Sequence, residues 1–163
     1  TKVKETFNQT TTNLASPLAP YTPLHEEHYV VALKIFADNP IFGQAPNMFD
    51  ILCQEDRYYY SAEGCTSHPH NSYIQLLAET GIIGFLFLLF AFLIVSLLLF
   101  RQFLGILRIT KYKIPEYMVF LLSGLFIMLW PLIPTGSFYN NWTNVMYYLP
   151  VGFVLHYYYQ KKI

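Results

Sequence analysis

A polar run that carries a histidine leads without interruption into an apolar segment: His70-Asn71-Ser72-Tyr73-Ile74-Gln75-Leu76-Leu77-Ala78-Glu79-Thr80-Gly81-Ile82-Ile83-Gly84. No charged residue occurs in the 21 residues from Thr80 to Phe100. A helix of that length spans about 30 Å, which is the thickness of the hydrocarbon core of a bilayer. The segment 80–100 is therefore predicted to be a transmembrane helix, with His70 about two to three helical turns outside the membrane boundary.

The composition is that of a membrane protein with a polar part. Of the 163 residues, 54% are hydrophobic and 12% are charged, against roughly 25% charged in an average soluble domain. Nine of the ten acidic residues lie within residues 1–80, and six of the ten basic residues lie within 81–163. The formal net charge of zero therefore conceals an acidic half and a basic half.

Two further apolar segments follow, and the distribution of basic residues predicts their orientation. Spans are predicted over 117–139 and 143–159, separated by a turn at 134–142. The basic loop 101–116 and the tail 160–163 are predicted to be cytoplasmic, because Lys and Arg accumulate on that side. The predicted fold is all-α: a polytopic integral membrane protein whose residues 1–79 form an extracytoplasmic, partly helical loop with a helix over 25–38.

The printed chain starts at Thr1 rather than at a methionine. We interpret it as the C-terminal piece of a longer membrane protein; the alternative is a complete protein with three spans. Cys53 and Cys65 both lie in the polar half, where an extracytoplasmic environment permits a disulfide. Spacing alone leaves a disulfide and two free thiols equally open.

His70 is the leading candidate for chemistry. An imidazole titrates near neutral pH, so it can accept a proton from an acceptor hydroxyl or orient that hydroxyl. Asn71 can donate a hydrogen bond to a substrate oxygen, and Glu79 lies at the membrane edge, where a carboxylate is costly unless it is paired or hydrated. The alternative is that His70 is an exposed loop histidine next to a helix start.

These residues carry a family resemblance. His70, Asn71, Gly81 and Gly84 match the pattern His-[Asn/Ser/Gln], nine residues, Gly-x-x-Gly, and so the chain resembles the O-antigen ligase and polymerase superfamily. The run Ala32–Gly43 is similar to the family's loop helix leading into Pro-x-x-Gly-x-Gly, with Ala45 in place of the second glycine. The turn 134–142 also resembles the family, and the resemblance extends over about residues 28–158.

The resemblance implies an activity and its partners. It implies transfer of a glycan from an undecaprenyl-diphosphate carrier to an acceptor hydroxyl, which belongs to lipid A core in a ligase or to a second lipid-linked glycan in a polymerase. It further implies an enzyme in the bacterial inner membrane, with a periplasmic active face, that uses no metal or cofactor. Membrane lipid is an expected partner and nucleic acid is not.

The resemblance also assigns roles to particular residues. His70 is the expected catalytic residue, and Gly81 and Gly84 are expected to serve close packing. The family's arginine near the start of the loop helix has no counterpart; His25 and His28 occupy that neighbourhood, and the arginines are expected in sequence that precedes this piece. The expected substrate-binding residues are Asn71, Arg57, His68 and Glu79, with Arg57 suited to grip a diphosphate.

Two alternatives come from other classes. His25, His28, His68 and His70, together with the two cysteines, can be interpreted as a zinc site, although their spacing matches no standard zinc signature. A non-enzymatic subunit for polysaccharide transport or assembly is the second alternative. It predicts polar residues buried in the middle of the spans, which here hold few.

Overall fold

The computed structural model describes residues 23–161, and this part of the chain is helical without strands. The elements, in chain order, are α1 (Pro23–Asp38), α2 (Phe49–Leu52), α3 (Ser72–Ile106), α4 (Glu116–Met128) and α5 (Asn141–Gln160). The all-α prediction is confirmed for these residues. The start of the predicted loop 1–79 and the last two residues of the predicted tail lie outside the described residues.

Helix α3 combines the polar run, from Ser72 onward, and the predicted span 80–100 in one element. Its 35 residues include both the polar run and the apolar segment, and it continues past the predicted end of the span to Ile106. Among the described residues it is the one helix that is long and apolar enough to cross a membrane. Phe87, Phe90 and Ile94 are more than half exposed. This apolar surface, together with the length of the helix, indicates a membrane protein.

Gly81 interrupts the helical backbone of α3. Its φ of 65° and ψ of −162° lie far from helical values, so the helix changes direction here, close to the predicted membrane boundary. A Cβ atom on Gly81 would collide with the backbone of Ile41 and Phe42. Glycine is therefore required both for its positive φ and for the close approach of the loop after α1.

The loop 40–45 satisfies the backbone groups on both sides of this break. Ile82 N–H donates to the carbonyl oxygen of Pro40 at 2.9 Å, and Ala45 N–H donates to the carbonyl oxygen of Glu79 at 2.9 Å. Gly43, with φ of 69°, lies so close to Glu79 and Thr80 that a Cβ atom would meet their backbone. The predicted Pro-x-x-Gly segment therefore packs directly on the helix break.

Ala45 stands where the resemblance leads us to expect a second glycine. Its φ of 95° lies in the left-handed half of the backbone map, so the turn is kept although the residue carries a Cβ atom. Such a conformation costs a non-glycine residue roughly 1–2 kcal/mol. The hydrogen bond of Ala45 to α3 and the following Pro46 hold the turn in place.

Helices α4 and α5 differ in how well they match the predicted spans. The span predicted over 117–139 is helical only as far as Met128, and turns follow it. Pro131 and Pro134 account for this, because proline lacks an amide donor and disfavours helix in the preceding residue. Helix α5 includes the whole of 143–159, but it is not apolar enough to qualify as a span. Three spans therefore stay a prediction.

Two apolar clusters hold the helices together. The first joins the apolar part of α3 to α4 and α5, and Leu88, Met118, Leu122 and Tyr147 are among its buried members. The second lies between α1, α2 and the first turns of α3. Its buried members are Val31, Ala32, Ile35, Phe49, Leu52, Cys53, Tyr58 and Ala78. The second cluster forms a polar-side lobe to which Ala78 of α3 belongs, whereas Tyr73 and Leu76, which also precede Gly81, pack in the first cluster.

Candidate functional site

His70 lies immediately before α3, in a backbone conformation that is uncommon for a non-glycine residue. Its φ is 55°, and its carbonyl oxygen accepts a 2.9 Å hydrogen bond from the backbone N–H of Thr135. The side chain is half-buried. Strained residues of this kind persist where surrounding contacts hold them. Here the helix start on one side and the turn at Thr135 on the other fix the position of the imidazole.

Asn71 is the N-cap of α3. Its side-chain oxygen accepts hydrogen bonds from the backbone N–H groups of Tyr73 at 2.9 Å and Ile74 at 3.1 Å. Its amide nitrogen donates to the carbonyl oxygen of Pro131 at 2.8 Å. Asparagine is among the best N-cap residues, and both ends of this amide are engaged within the protein. The side chain is 3% exposed, so its position in the motif has a structural explanation.

Four histidines meet at this point. His25 and His28 come from the first turns of α1, and His68 and His70 come from the segment before α3. The ring centroid of His70 lies 4.2 Å from that of His68, 5.4 Å from that of His28 and 5.6 Å from that of His25. We call these four residues the histidine cluster. All four histidines are candidates from the sequence, but only the zinc alternative predicts that they lie together.

The environment of the cluster favours neutral imidazoles. Burial lowers the pKa of His70 below the ordinary value of 6.5, and the charge of His25 lowers it further. Burial likewise lowers the pKa of His28 and of His68. A neutral imidazole has a free lone pair, which is the state required of a general base. In the described part of the chain, no group of three or more His, Cys, Asp or Glu residues is arranged to hold a metal ion.

A buried polar network extends from the cluster along α3. Gln75 donates from Nε2 to Glu79 Oε2 and to Ser137 Oγ, both at 3.1 Å, and accepts from the backbone N–H of Phe138 at 2.8 Å. Ser72 bonds to Thr135 through its amide at 2.9 Å and through its hydroxyl at 2.8 Å. The turn 134–142 is thereby bound to the first two turns of α3.

Glu79 is enclosed by the protein. It is 1% exposed, and its Oε1 accepts a hydrogen bond of 2.8 Å from the backbone N–H of Phe49. Burial raises the pKa of the carboxyl, although the bonds from Phe49 and Gln75 oppose this shift. The side chain thus anchors the loop ahead of α2 to α3. Its predicted contact with substrate would require this anchor to open.

Arg57 lies at the opposite end of α1 from the histidine cluster. Its guanidinium is paired with Glu55 at 2.7 Å and with Asp38, the last residue of α1, at 3.1 Å. His28 precedes Asp38 by ten residues, or about 15 Å of helix. The structure therefore does not bring Arg57 together with His70, and its role in substrate binding stays a prediction.

Of the two alternatives for Cys53 and Cys65, a disulfide and two free thiols, the structure contains the disulfide. Cys53 and Cys65 are bonded, with Cα atoms 5.2 Å apart and 12 residues of sequence separation. The bridge joins the end of α2 to the segment that leads to His68 and His70. It therefore restrains the approach to the histidine cluster from the polar side.

Gln75 and Thr135 are site residues that the sequence patterns did not predict. Gln75 is flanked directly by Ile74, Leu76 and Leu77, and an amide between apolar neighbours is a usable signal for a buried polar side chain. Thr135 lies in the turn 134–142, whose likeness to the family is the signal that could have been followed. Both residues act on segments about 60 positions away, which local patterns do not reveal.

Comparison with known protein families finds a match to the part of the chain that contains the candidate site. A model of the family described as O-Antigen ligase matches residues 25–89, which run from the histidines of α1 through the break at Gly81 into the apolar part of α3. Neither the curated proteins nor the solved structures yield a match. The matched range contains every member of the histidine cluster, the disulfide and the loop 40–45. The match supports the resemblance of residues 25–89 to the O-antigen ligase and polymerase superfamily.

Proposed function

We propose that this protein transfers a glycan from an undecaprenyl-diphosphate carrier to an acceptor hydroxyl, as an O-antigen ligase or polymerase in the bacterial inner membrane. The acceptor belongs to lipid A core in the first case and to a second lipid-linked glycan in the second. The reaction takes place at the periplasmic face, and it uses no metal or cofactor.

One observation supports the proposed catalytic role of His70. The polar side chains that follow it in the motif are engaged inside the protein: Asn71 caps α3, Ser72 bonds Thr135, and Gln75 and Glu79 bond each other and their neighbours. His70 instead has a half-buried ring with a lowered pKa. Among these residues it is the one whose side chain is available for a substrate.

The proposed step is a direct displacement at the anomeric carbon. His70 accepts the proton of the acceptor hydroxyl or orients that hydroxyl, and the oxygen attacks the anomeric carbon. The bond from that carbon to the diphosphate oxygen breaks, and the electron pair leaves with the diphosphate. Cationic side chains stabilise the departing charge; Arg57 is the predicted contributor, and His68 is expected to contact the substrate as a neutral imidazole.

The test is His70→Ala in the full-length protein, measured as glycan transfer in membranes with normal protein levels. His156 provides a matched control, because it is an exposed histidine of α5, remote in sequence from the cluster. We expect His70→Ala to abolish transfer and His156→Ala to retain it. Full transfer by the His70 variant would refute the role and would favour the transport or assembly alternative.

A further inference from the structure

His28 is the deeply buried member of the histidine cluster. It is 3% exposed, and its Nε2 lies 2.9 Å from the carbonyl oxygen of Glu63. A carbonyl oxygen only accepts, so Nε2 must carry the hydrogen, and Nδ1 of the neutral ring then holds a lone pair. Nδ1 is buried and has no hydrogen-bond partner in the described part of the chain. A buried acceptor is therefore left free next to His70.

The spacing of the rings suits a bond between His28 and His70. Their centroids are 5.4 Å apart and their planes are inclined by 37°. Two imidazoles joined edge to edge by one N–H···N bond have centroids about 5 Å apart. His68, at 4.2 Å, is too close to His70 for that arrangement. His25, at 5.6 Å, lies farther from His70 and is only half-buried.

We propose that His28 is a positioning residue for His70: its Nδ1 accepts the ring N–H of His70 and thereby sets the tautomer of the base. This inference rests on the proposed function. The other ring nitrogen of His70 then holds a lone pair, which takes the proton as the acceptor O–H bond breaks. The resulting imidazolium keeps its hydrogen bond to His28, while the acceptor oxygen bonds to the anomeric carbon and the diphosphate leaves with its electron pair.

The residues around His70 favour an uncharged hydrogen-bond acceptor for its ring N–H. Among the described residues, the groups that face it are His25 and His28 from α1, His68 from the preceding segment, and the backbone of Thr135, whose N–H donates to the carbonyl oxygen of His70. Glu27 lies near His28. An uncharged acceptor such as His28 orients the base without raising its pKa as strongly as a carboxylate does. His70 then stays neutral, and so competent as a base, at lower pH.

Two substitutions separate positioning from support of the fold. In His28→Gln, the amide N–H can replace Nε2 as donor to Glu63, but the acceptor at the place of Nδ1 is lost. In His28→Asn, the amide oxygen stands where Nδ1 was, but the bond to Glu63 is lost. We expect the Gln variant to lose at least tenfold in kcat with KM and thermal stability little changed. The Asn variant should recover most of kcat at lower thermal stability.

The opposite order of activities would overturn the proposal: a structural role alone predicts a normal Gln variant and an impaired Asn variant.

His28→Asp gives a second readout, because a carboxylate at this position should raise the pKa of His70 and so shift the acid limb of the pH–rate profile to higher pH. If the variants fail to accumulate, nitrogen NMR of the wild-type full chain with labelled histidine decides the matter. If the NMR spectrum shows that Nδ1 of His28 carries the hydrogen, His28 cannot accept the ring N–H of His70 through Nδ1, and the proposal is wrong. Loss of transfer in His70→Ala alongside a normal His28→Gln would overturn this inference and leave the proposed function intact.

Discussion

The carbonyl oxygen of Pro40 accepts a 2.9 Å hydrogen bond from the backbone N–H of Ile82, which directly follows the helix break at Gly81. This bond joins the loop after α1 to the start of the apolar part of α3. A helix break at the membrane edge frees backbone groups that cost free energy if they stay unpaired. The loop 40–45 supplies their partners, so the polar-side lobe and the apolar helix are fixed to one another.

Gly81→Ala is expected to destabilise the protein by roughly 2–4 kcal/mol, because the new Cβ atom meets the backbone of Ile41 and Phe42 and the residue must keep a positive φ. Thermal unfolding of the detergent-solubilised protein measures the effect. Gly124→Ala is the matched control, since a Cβ atom there meets nothing within 4 Å. Equal stability of the two variants would show that the close approach at Gly81 is not essential.

Ala45→Gly is expected to act in the opposite direction. Ala45 has a φ of 95°, and glycine adopts such values without the steric cost. Relief of this strain outweighs the extra entropy of the unfolded chain, so we expect a gain of about 0.5–1 kcal/mol. The same unfolding assay measures it, and a loss of stability would contradict the proposed strain.

Variants of Asn71 distinguish a capping role from a substrate role. Asn71→Ala is expected to lower the free energy of unfolding by about 1–2 kcal/mol, because both capping bonds and the bond to Pro131 are lost. Asn71→Ser keeps an N-cap oxygen and should restore part of that stability. If Asn71 serves the fold alone, glycan transfer per folded molecule stays near wild type in the Ser variant. A large loss of turnover at normal stability would instead support the predicted contact with substrate.

Removal of the disulfide is expected to cost roughly 2–3 kcal/mol, since the bridge closes a short loop in the unfolded chain. The double variant of Cys53 and Cys65 to serine should match the reduced wild type in unfolding experiments. Because the bridge restrains the segment that leads to His68 and His70, transfer should also fall. Unchanged stability after full reduction would rule out this contribution.

Acidification is expected to destabilise the folded protein through the histidine cluster. The pKa values of His28, His68 and His70 are lowered on folding. As the pH falls through 6.5, the unfolded chain therefore binds protons before the folded one does, and stability decreases. The raised pKa of Glu79 acts in the opposite sense. Unfolding measured between pH 8 and pH 5 should thus show a steeper loss in Glu79→Gln than in the wild type.

Local patterns predicted much of the architecture. A 21-residue run without charge predicts an apolar helix wherever it occurs, and α3 contains that run. The apolar spacing before Asn39-Pro40 predicts the helix that α1 forms. The end of α4 at Met128 was harder to predict, because absence of charge marks an apolar segment but does not show where its backbone stops being helical. Pro131 carried that information in the sequence.

The candidate site was only partly predictable. His70 stood out through its chemistry and its position before an apolar run. The inward roles of Asn71 and Glu79 were not visible, because a polar side chain has the same sequence signature whether it faces a substrate or a backbone N–H group. Arg57 shows the same limit, since its pairing with Asp38 depends on where α1 ends.

The amino-acid sequence alone specified an all-helical chain, an apolar helix of membrane length and a histidine just ahead of it, since hydropathy and short spacings are local properties. The tertiary structure decided that His25 and His28 lie next to His70. It also decided the hydrogen bond between Pro40 and Ile82 and the packing of the turn 134–142 against α3. These relationships join residues that are tens of positions apart; Gln75 and Ser137, for example, are separated by 62. Only the packing of α1 and that turn on the broken helix brings such residues within hydrogen-bonding distance.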